Sequence, residues 1–157
     1  MLRILSLMVE NNPGVLAHIS GMFSGKGYNL DSLTVGPTID KSVSRMTISC
    51  ITSDSEFEQI KKQLNRLIDV IKVVELTKKP AVTKELMIIK LSTKKDTRAE
   101  VFQLTQVYDC LVIDVTYDKL ILQVCENTEN INKILKIVAP YGIVEMARSG
   151  IVSMLEH

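Results

Sequence analysis

The residues whose types and spacing invite chemistry lie in Glu10-Asn11-Asn12-Pro13-Gly14-Val15-Leu16, with Asn29 and Leu30 some fifteen positions on. Asn12 suits a helix N-cap and Pro13 a first helical position, where a missing N–H costs nothing. Gly14 is an unexpected choice, because glycine in a helix interior is worse than alanine by about 1 kcal/mol. A bare Cα there lets a ligand approach the free N–H groups of a helix start, which favour carboxylates and phosphates. An α-amino acid fits this chemistry. Its carboxylate can lie against the amides at Gly14 and Val15, and its ammonium can be met by an asparagine side chain or a carbonyl. A short apolar side chain can rest against Val15 or Leu30. The competing reading of Gly14 is an ordinary strand-to-helix turn. For Asn29 it is a turn residue tolerating a left-handed conformation after Gly27.

Other chemistry finds little support. His18 is the one histidine before the C-terminal end, and it sits beside an apolar helix face. A zinc site lacks its Cys-x-x-Cys or His-Glu-x-x-His ligand pattern. No Gly-x-Ser-x-Gly elbow is present, and Gly21, Gly25 and Gly27 are wrongly spaced for a dinucleotide fingerprint. No catalytic residue and no metal ligand is therefore assigned.

The elements that must position Gly14 and Asn29 follow from periodicity. Ile4 to Val9 reads as a buried strand. Val15, Leu16, Ile19, Met22 and Phe23 recur at helical spacing, and Gly25 and Gly27 stop that helix. Tyr28 to Val35 reads as a strand with an irregularity between Leu30 and Leu33. Met46, Ile48 and Cys50 alternate with polar residues, so these two strands form a hairpin. Ser53-Asp54-Ser55-Glu56 caps a helix whose apolar face is expected to carry Phe57, Ile60, Leu64, Leu67, Ile68 and Ile71. Val70 to Leu76 closes as a strand. The order is that of a ferredoxin-like domain.

The same order recurs beyond Lys79-Pro80. A strand at Leu86 to Leu91 precedes a helix over Arg98 to Tyr108. Strands at Leu111 to Val115 and Leu120 to Val124 follow. Asn127 caps a helix with Ile131, Ile134, Leu135 and Val138, which Pro140 and Gly142 end before a strand from Ile143 to Ala147. The expected fold is α+β, two ferredoxin-like βαββαβ domains in tandem. Residues 1–77 form the first, 78–82 a linker and 83–154 the second. Leu155-Glu156-His157 reads as a tag remnant. Nothing like Asn11-Asn12-Pro13-Gly14 recurs in the second half, so the first helix start is not expected to have a counterpart there.

Bulk properties narrow the function. The chain has 157 residues, 46% of them hydrophobic and 24% charged, and a net charge of +1. That balance gives no reason to expect nucleic acid or an anionic membrane. The third strand lacks the aromatics with which RNA-binding domains of this topology stack bases. Lys61-Lys62, Lys78-Lys79 and Lys94-Lys95 read as solvated surface. No run approaches the roughly 20 apolar residues of a membrane span. Cys50, Cys110 and Cys125 are odd in number and in apolar surroundings, which suggests reduced core thiols and a cytoplasmic protein. Sheets covered on one face only leave edges and a second face to bury, so at least a homodimer is expected.

Asn11-x-Pro13-Gly14-Val15-Leu16 with Phe23-Ser24-x-x-Gly27-Tyr28-Asn29-Leu30 resembles the opening of an ACT domain, the amino-acid-sensing module of metabolic enzymes. Further segments sharpen the likeness: Ser32-Leu33-Thr34-Val35-x-Pro37-Thr38, Ser44-Arg45-Met46-Thr47-Ile48, and Gln59 to Val70. With Ile113-Asp114-Val115-Thr116 and Val144-Glu145-Met146-Ala147-Arg148-Ser149-Gly150, they make the chain similar to the regulatory subunits of acetohydroxyacid (acetolactate) synthase. The resemblance implies a noncatalytic subunit that activates a catalytic large subunit and confers feedback inhibition by valine or another branched-chain amino acid. It implies an effector held between two ACT domains of a homodimer, one chain offering Asn11, Gly14 and Val15, the other Asn29 and Leu30. Thiamine diphosphate, FAD and Mg²⁺ would belong to the large subunit, with no cofactor in this chain. A stand-alone ACT sensor for a different enzyme is the alternative.

Overall fold

The computed structural model describes residues 1–93 and 97–156; Lys94, Lys95, Asp96 and His157 fall outside them. The first half runs β1 (Leu2–Glu10), α1 (Val15–Gly25), β2 (Ser32–Pro37), β3 (Val43–Ile51), α2 (Asp54–Leu64) and β4 (Val70–Glu75). The second runs β5 (Ala81–Ser92), α3 (Arg98–Val107), β6 (Leu111–Val115), β7 (Lys119–Glu126), α4 (Thr128–Val138), a 3₁₀ turn (Ala139–Tyr141) and β8 (Ile143–Leu155). The sheets order as β2-β3-β1-β4 and β6-β7-β5-β8. This is the α+β, twice ferredoxin-like architecture expected from the periodicities.

In the first sheet β1 lies antiparallel between β3 and β4, with Leu5 opposite Ile48 and Leu7 opposite both Met46 and Val73. Alternation turns Leu5, Leu7 and Val9 to the helices, where they meet Val15, Ile19 and Phe23 of α1 and Phe57, Ile60 and Leu64 of α2. The four-residue spacing of the α1 trio and the i, i+3, i+7 spacing of the α2 trio put each set on one helical face. Deleting one such side chain to alanine costs about 2–5 kcal/mol. Ser53 closes a capping box with Glu56 at the start of α2. The second core is built likewise, from Met87, Ile89 and Leu91, Leu120, Leu122 and Val124, and Ile131, Ile134 and Val138. Arg148 meets buried Glu85 with two hydrogen bonds, Nε to Oε1 at 2.6 Å and Nη2 to Oε2 at 2.9 Å.

Several expectations are corrected. The helix α2 stops at Leu64, so Leu67, Ile68 and Ile71 lie beyond it; Leu67 still packs against the core, while Ile68 is 92% exposed in the following turn. β2 begins at Ser32 rather than Tyr28, because the chain after α1 is held by the helix end instead of by a ladder. Of the three free thiols only Cys50 is buried, and Cys125 is exposed.

The chain divides into two compact units, Met1–Val82 with Ile151–His157, and Thr83–Gly150. The strand β5 therefore starts inside the stretch expected as a linker, and Leu155 is the last residue of a strand. Within the first unit, Ile151 N–H reaches Ser32 Oγ at 3.5 Å, Ser153 Oγ donates to the Val82 carbonyl at 3.0 Å, and Glu156 N–H donates to that of Pro80 at 3.2 Å. Ile151 and Ser153 are both buried.

Candidate functional site

At the end of β1 three loops are pinned together. Glu10 N–H donates to Asp69 O at 2.9 Å, and Asn11 N–H to Ser42 O at 2.7 Å. The Asn11 side chain adds a second bond to the hairpin, Nδ2 to Lys41 O at 2.9 Å. That hairpin is itself braced by Asp40, whose carboxylate accepts from the Ser42 amide and hydroxyl, and these bonds lower its pKa.

Gly14 is the N-cap of α1, with φ 91° and ψ −14°, and no side chain caps the helix. This corrects the expectation that Asn12 is the N-cap and Pro13 the first helical residue. Asn12 to Val15 form a type II turn, with proline at its second position and a left-handed residue at its third. The turn closes through Val15 N–H to Asn12 O at 3.4 Å. Glycine is required there because a Cβ at positive φ costs about 1–2 kcal/mol, although the space around it is open. The Val15 amide thus faces Asn12 across a long bond, while the next amides, of Leu16 and Ala17, have no acceptor within the helix. The first turn carries no acidic side chain, so its dipole is met by neither a capping group nor a carboxylate.

His18, one turn on, is held by Asp69 at 2.9 Å between Nδ1 and Oδ2. Its place is structural, a tie between α1 and the turn before β4.

Asn29 lies at the other end. The helix α1 closes in a Schellman motif, with Gly27 N–H to Ser24 O at 3.1 Å and Tyr28 N–H to Phe23 O at 3.0 Å, and Gly27 at φ 72°. The Tyr28 ring stands edge-on to Phe23 with centroids 6.4 Å apart, supplying the apolar contact that accompanies this motif. Leu30 packs against the core and Asn29 is exposed. Among the described residues the one non-glycine at positive φ is Asp109, so Asn29 is not a left-handed turn residue. Asn29 borders a cavity of about 170 Å³ with Tyr28, Cys50, Thr52, Glu56 and Ile60. Burial pushes the Cys50 thiol above its ordinary value.

One chain does not bring the five residues together. Asn11, Gly14 and Val15 sit where β1 ends, opposite Val43; Asn29 and Leu30 sit near Ser49, which is bonded to Asp31. The length of α1, 11 residues, separates them, or about 16 Å. Sequence reasoning missed Asp69 and the hairpin carbonyls of Lys41 and Ser42, because backbone acceptors leave no signal in residue type.

Among the described residues no cluster of three or more His, Cys, Asp or Glu is placed to hold a metal ion, and no helix is long and apolar enough to cross a membrane.

Residues 5–72 match the family described as AHAS small subunit-like ACT domain, and residues 84–157 the family described as small subunit of acetolactate synthase. The acetolactate synthase small subunit of Mycolicibacterium smegmatis is 43% identical over 150 residues, covering 96% of this chain and 88% of that one. That of Aquifex aeolicus is 43% identical over 153 residues, covering 97% and 80%. The crystal structure of the small subunit from Thermotoga maritima superposes with a TM-score of 0.89 at 29% identity, covering 98% and 96%.

Proposed function

Since the chain belongs to the acetolactate synthase small-subunit family, with an ACT domain in its first half, we propose that it senses a branched-chain amino acid, valine first, for a catalytic large subunit. In this reading the chain is noncatalytic, acts in the cytoplasm as a homodimer, activates the large subunit and confers feedback inhibition. Thiamine diphosphate, FAD and Mg²⁺ reside in the partner.

The observation that carries the reading is the opposed placement of the two half-sites. The edge strand β2 runs from the Asn29 end of the first sheet to the Gly14 end, since Ser32 pairs with Ser49 and Pro37 with Ser44. An unpaired edge is a template for another strand. Two copies joined antiparallel along β2 by a two-fold axis set the start of one β2 beside the end of the other. Asn29 and Leu30 of one copy then approach Asn11 and Gly14 of the second. The ligand carboxylate lies at the uncapped start of α1, and its ammonium meets the asparagine side-chain oxygen from across the interface. A ligand that bridges two chains in one dimer arrangement needs only about 1–3 kcal/mol of preference to act as a feedback signal.

Calorimetric titration of the purified chain with valine, leucine and isoleucine, with glycine and serine as controls, tests the reading. Saturable valine binding at one equivalent per chain, lost in Asn29→Ala, is the expected result. Binding that is indifferent to Asn29→Ala and to Gly14→Asp overturns the placement.

A further inference from the structure

The face of the first sheet turned away from its helices carries two cations on either side of one methionine. Met8 pairs with Arg45 on β3 and with Lys72 on β4. All three side chains point to the same face, and the two cation-bearing strands stand about 10 Å apart across β1. Arg45 is half-buried; among the described residues no carboxylate pairs with it or with Lys72. The returning C-terminal segment walls this spot with Met154 and Leu155, closing a cavity of about 330 Å³ over Met8 and Val74. A second, more open hollow by the β2–β3 hairpin shares Met8 and Arg45 with it.

We propose that this cavity binds a small branched-chain carboxylate that lacks an α-ammonium group, the chemistry of a 2-oxo or 2-hydroxy acid. Its size and its apolar lining with a few convergent polar groups are those of small-molecule sites. A carboxylate placed between Arg45 and Lys72 makes charge-assisted bonds, stronger beside an apolar wall than in open water. The branched tail lies on Met8, Val74, Met154 and Leu155. No acidic side chain lines the cavity. An amino acid would bring its ammonium beside two positive groups with the Ser6 hydroxyl as its one side-chain acceptor, so the site rejects the zwitterion and keeps the acid. The site shares no residue with the Asn11–Asn29 half-sites and does not rest on the effector reading. Arg45, prominent in the Ser44-Arg45-Met46 stretch of the sequence, has no part in that reading.

The test is titration of the full chain with 3-methyl-2-oxobutanoate as probe, followed by calorimetry and by the methyl resonances of ¹³C-labelled methionine. The expected result is saturable binding that shifts the Met8 and Met154 methyls, persists under saturating valine and survives Asn29→Ala. Arg45→Gln and Lys72→Gln should each weaken it tenfold or more, with Arg45→Lys in between. Lys72 is exposed, so Lys72→Gln decides the matter if Arg45→Gln does not fold. Displacement of the probe by valine, loss of binding in Asn29→Ala, indifference to both cation substitutions, or no saturable binding at millimolar probe overturns the proposal.

Discussion

The Asn11 side-chain amide donates to the Lys41 carbonyl at 2.9 Å, so the loop entering α1 is tied to the β2–β3 hairpin by a residue also expected to line the effector site. This bond holds an exposed loop and contributes little to global stability. Asn11→Ala is expected to weaken valine binding about fivefold, the value of one hydrogen bond near 1 kcal/mol. Calorimetry reads the affinity and a thermal melt reads the stability, which should change little.

Gly14 separates backbone strain from ligand exclusion. Gly14→Ala meets open space but must adopt φ 91°, at a cost of about 1–2 kcal/mol, and so lowers the melting temperature while leaving partial valine sensitivity. Gly14→Asp adds a negative charge where the ligand carboxylate is expected and should abolish valine inhibition of the reconstituted synthase. Equal inhibition in both variants would remove Gly14 from the site.

The opposed half-sites make a complementation experiment decisive. Chains bearing Gly14→Asp alone or Asn29→Ala alone should bind no valine. Refolded together, the mixed dimer has one site with both defects and one with neither. Valine binding should therefore return in the mixture, at about half an equivalent per chain in the mixed dimers. A site contained in one chain predicts no recovery.

The capping box of α2 gives a pH-dependent prediction. Glu56 accepts from the Ser53 amide and hydroxyl and from Thr52, which holds its carboxyl below the ordinary 4.5. A depressed folded-state value means stability that is present above the unfolded pKa and lost as pH falls through the folded one. Ser53→Ala should thus lower the melting temperature by a few degrees at pH 7. That difference should shrink in melts taken below pH 4.

A chain ended at Thr77 loses Ile151 to Leu155, which in the full chain bond to Ser32 and share a cavity with Ser6, Met8 and Arg45. Such a fragment is expected to melt at lower temperature than the first unit of the whole protein and to expose apolar sheet surface. Dye binding and a thermal scan of the two proteins check this.

Local pattern carried much of the fold. Leu5, Leu7 and Val9 announce their strand by alternation, and Ser53 and Asn127 announce their helices by capping chemistry that the structure reproduces. The errors arise where one residue type serves two purposes. Pro13-Gly14 fits both a helix start and a type II turn, and only the φ of Gly14 decides. Leu67, Ile68 and Ile71 keep a helical spacing after the helix has ended. Leu155 sits in a cavity wall although Leu155-Glu156-His157 reads as a tag remnant. That Gly14 and Asn29 lie apart follows from the length of α1, but which end of β2 stands beside each depends on strand register, which no residue type encodes.

The return of the last strand to the first unit also sets an order of events during synthesis. Residues 83–150 leave the ribosome, and can fold, before the first unit receives Ile151 to Leu155. Until Ile151 to Leu155 emerge, the nascent first unit holds its four-stranded sheet with one face unfinished. Arrival of Met154 and Leu155 completes the cavity wall, so a chain cut short before Ile151 keeps its sensor sequence and lacks that wall.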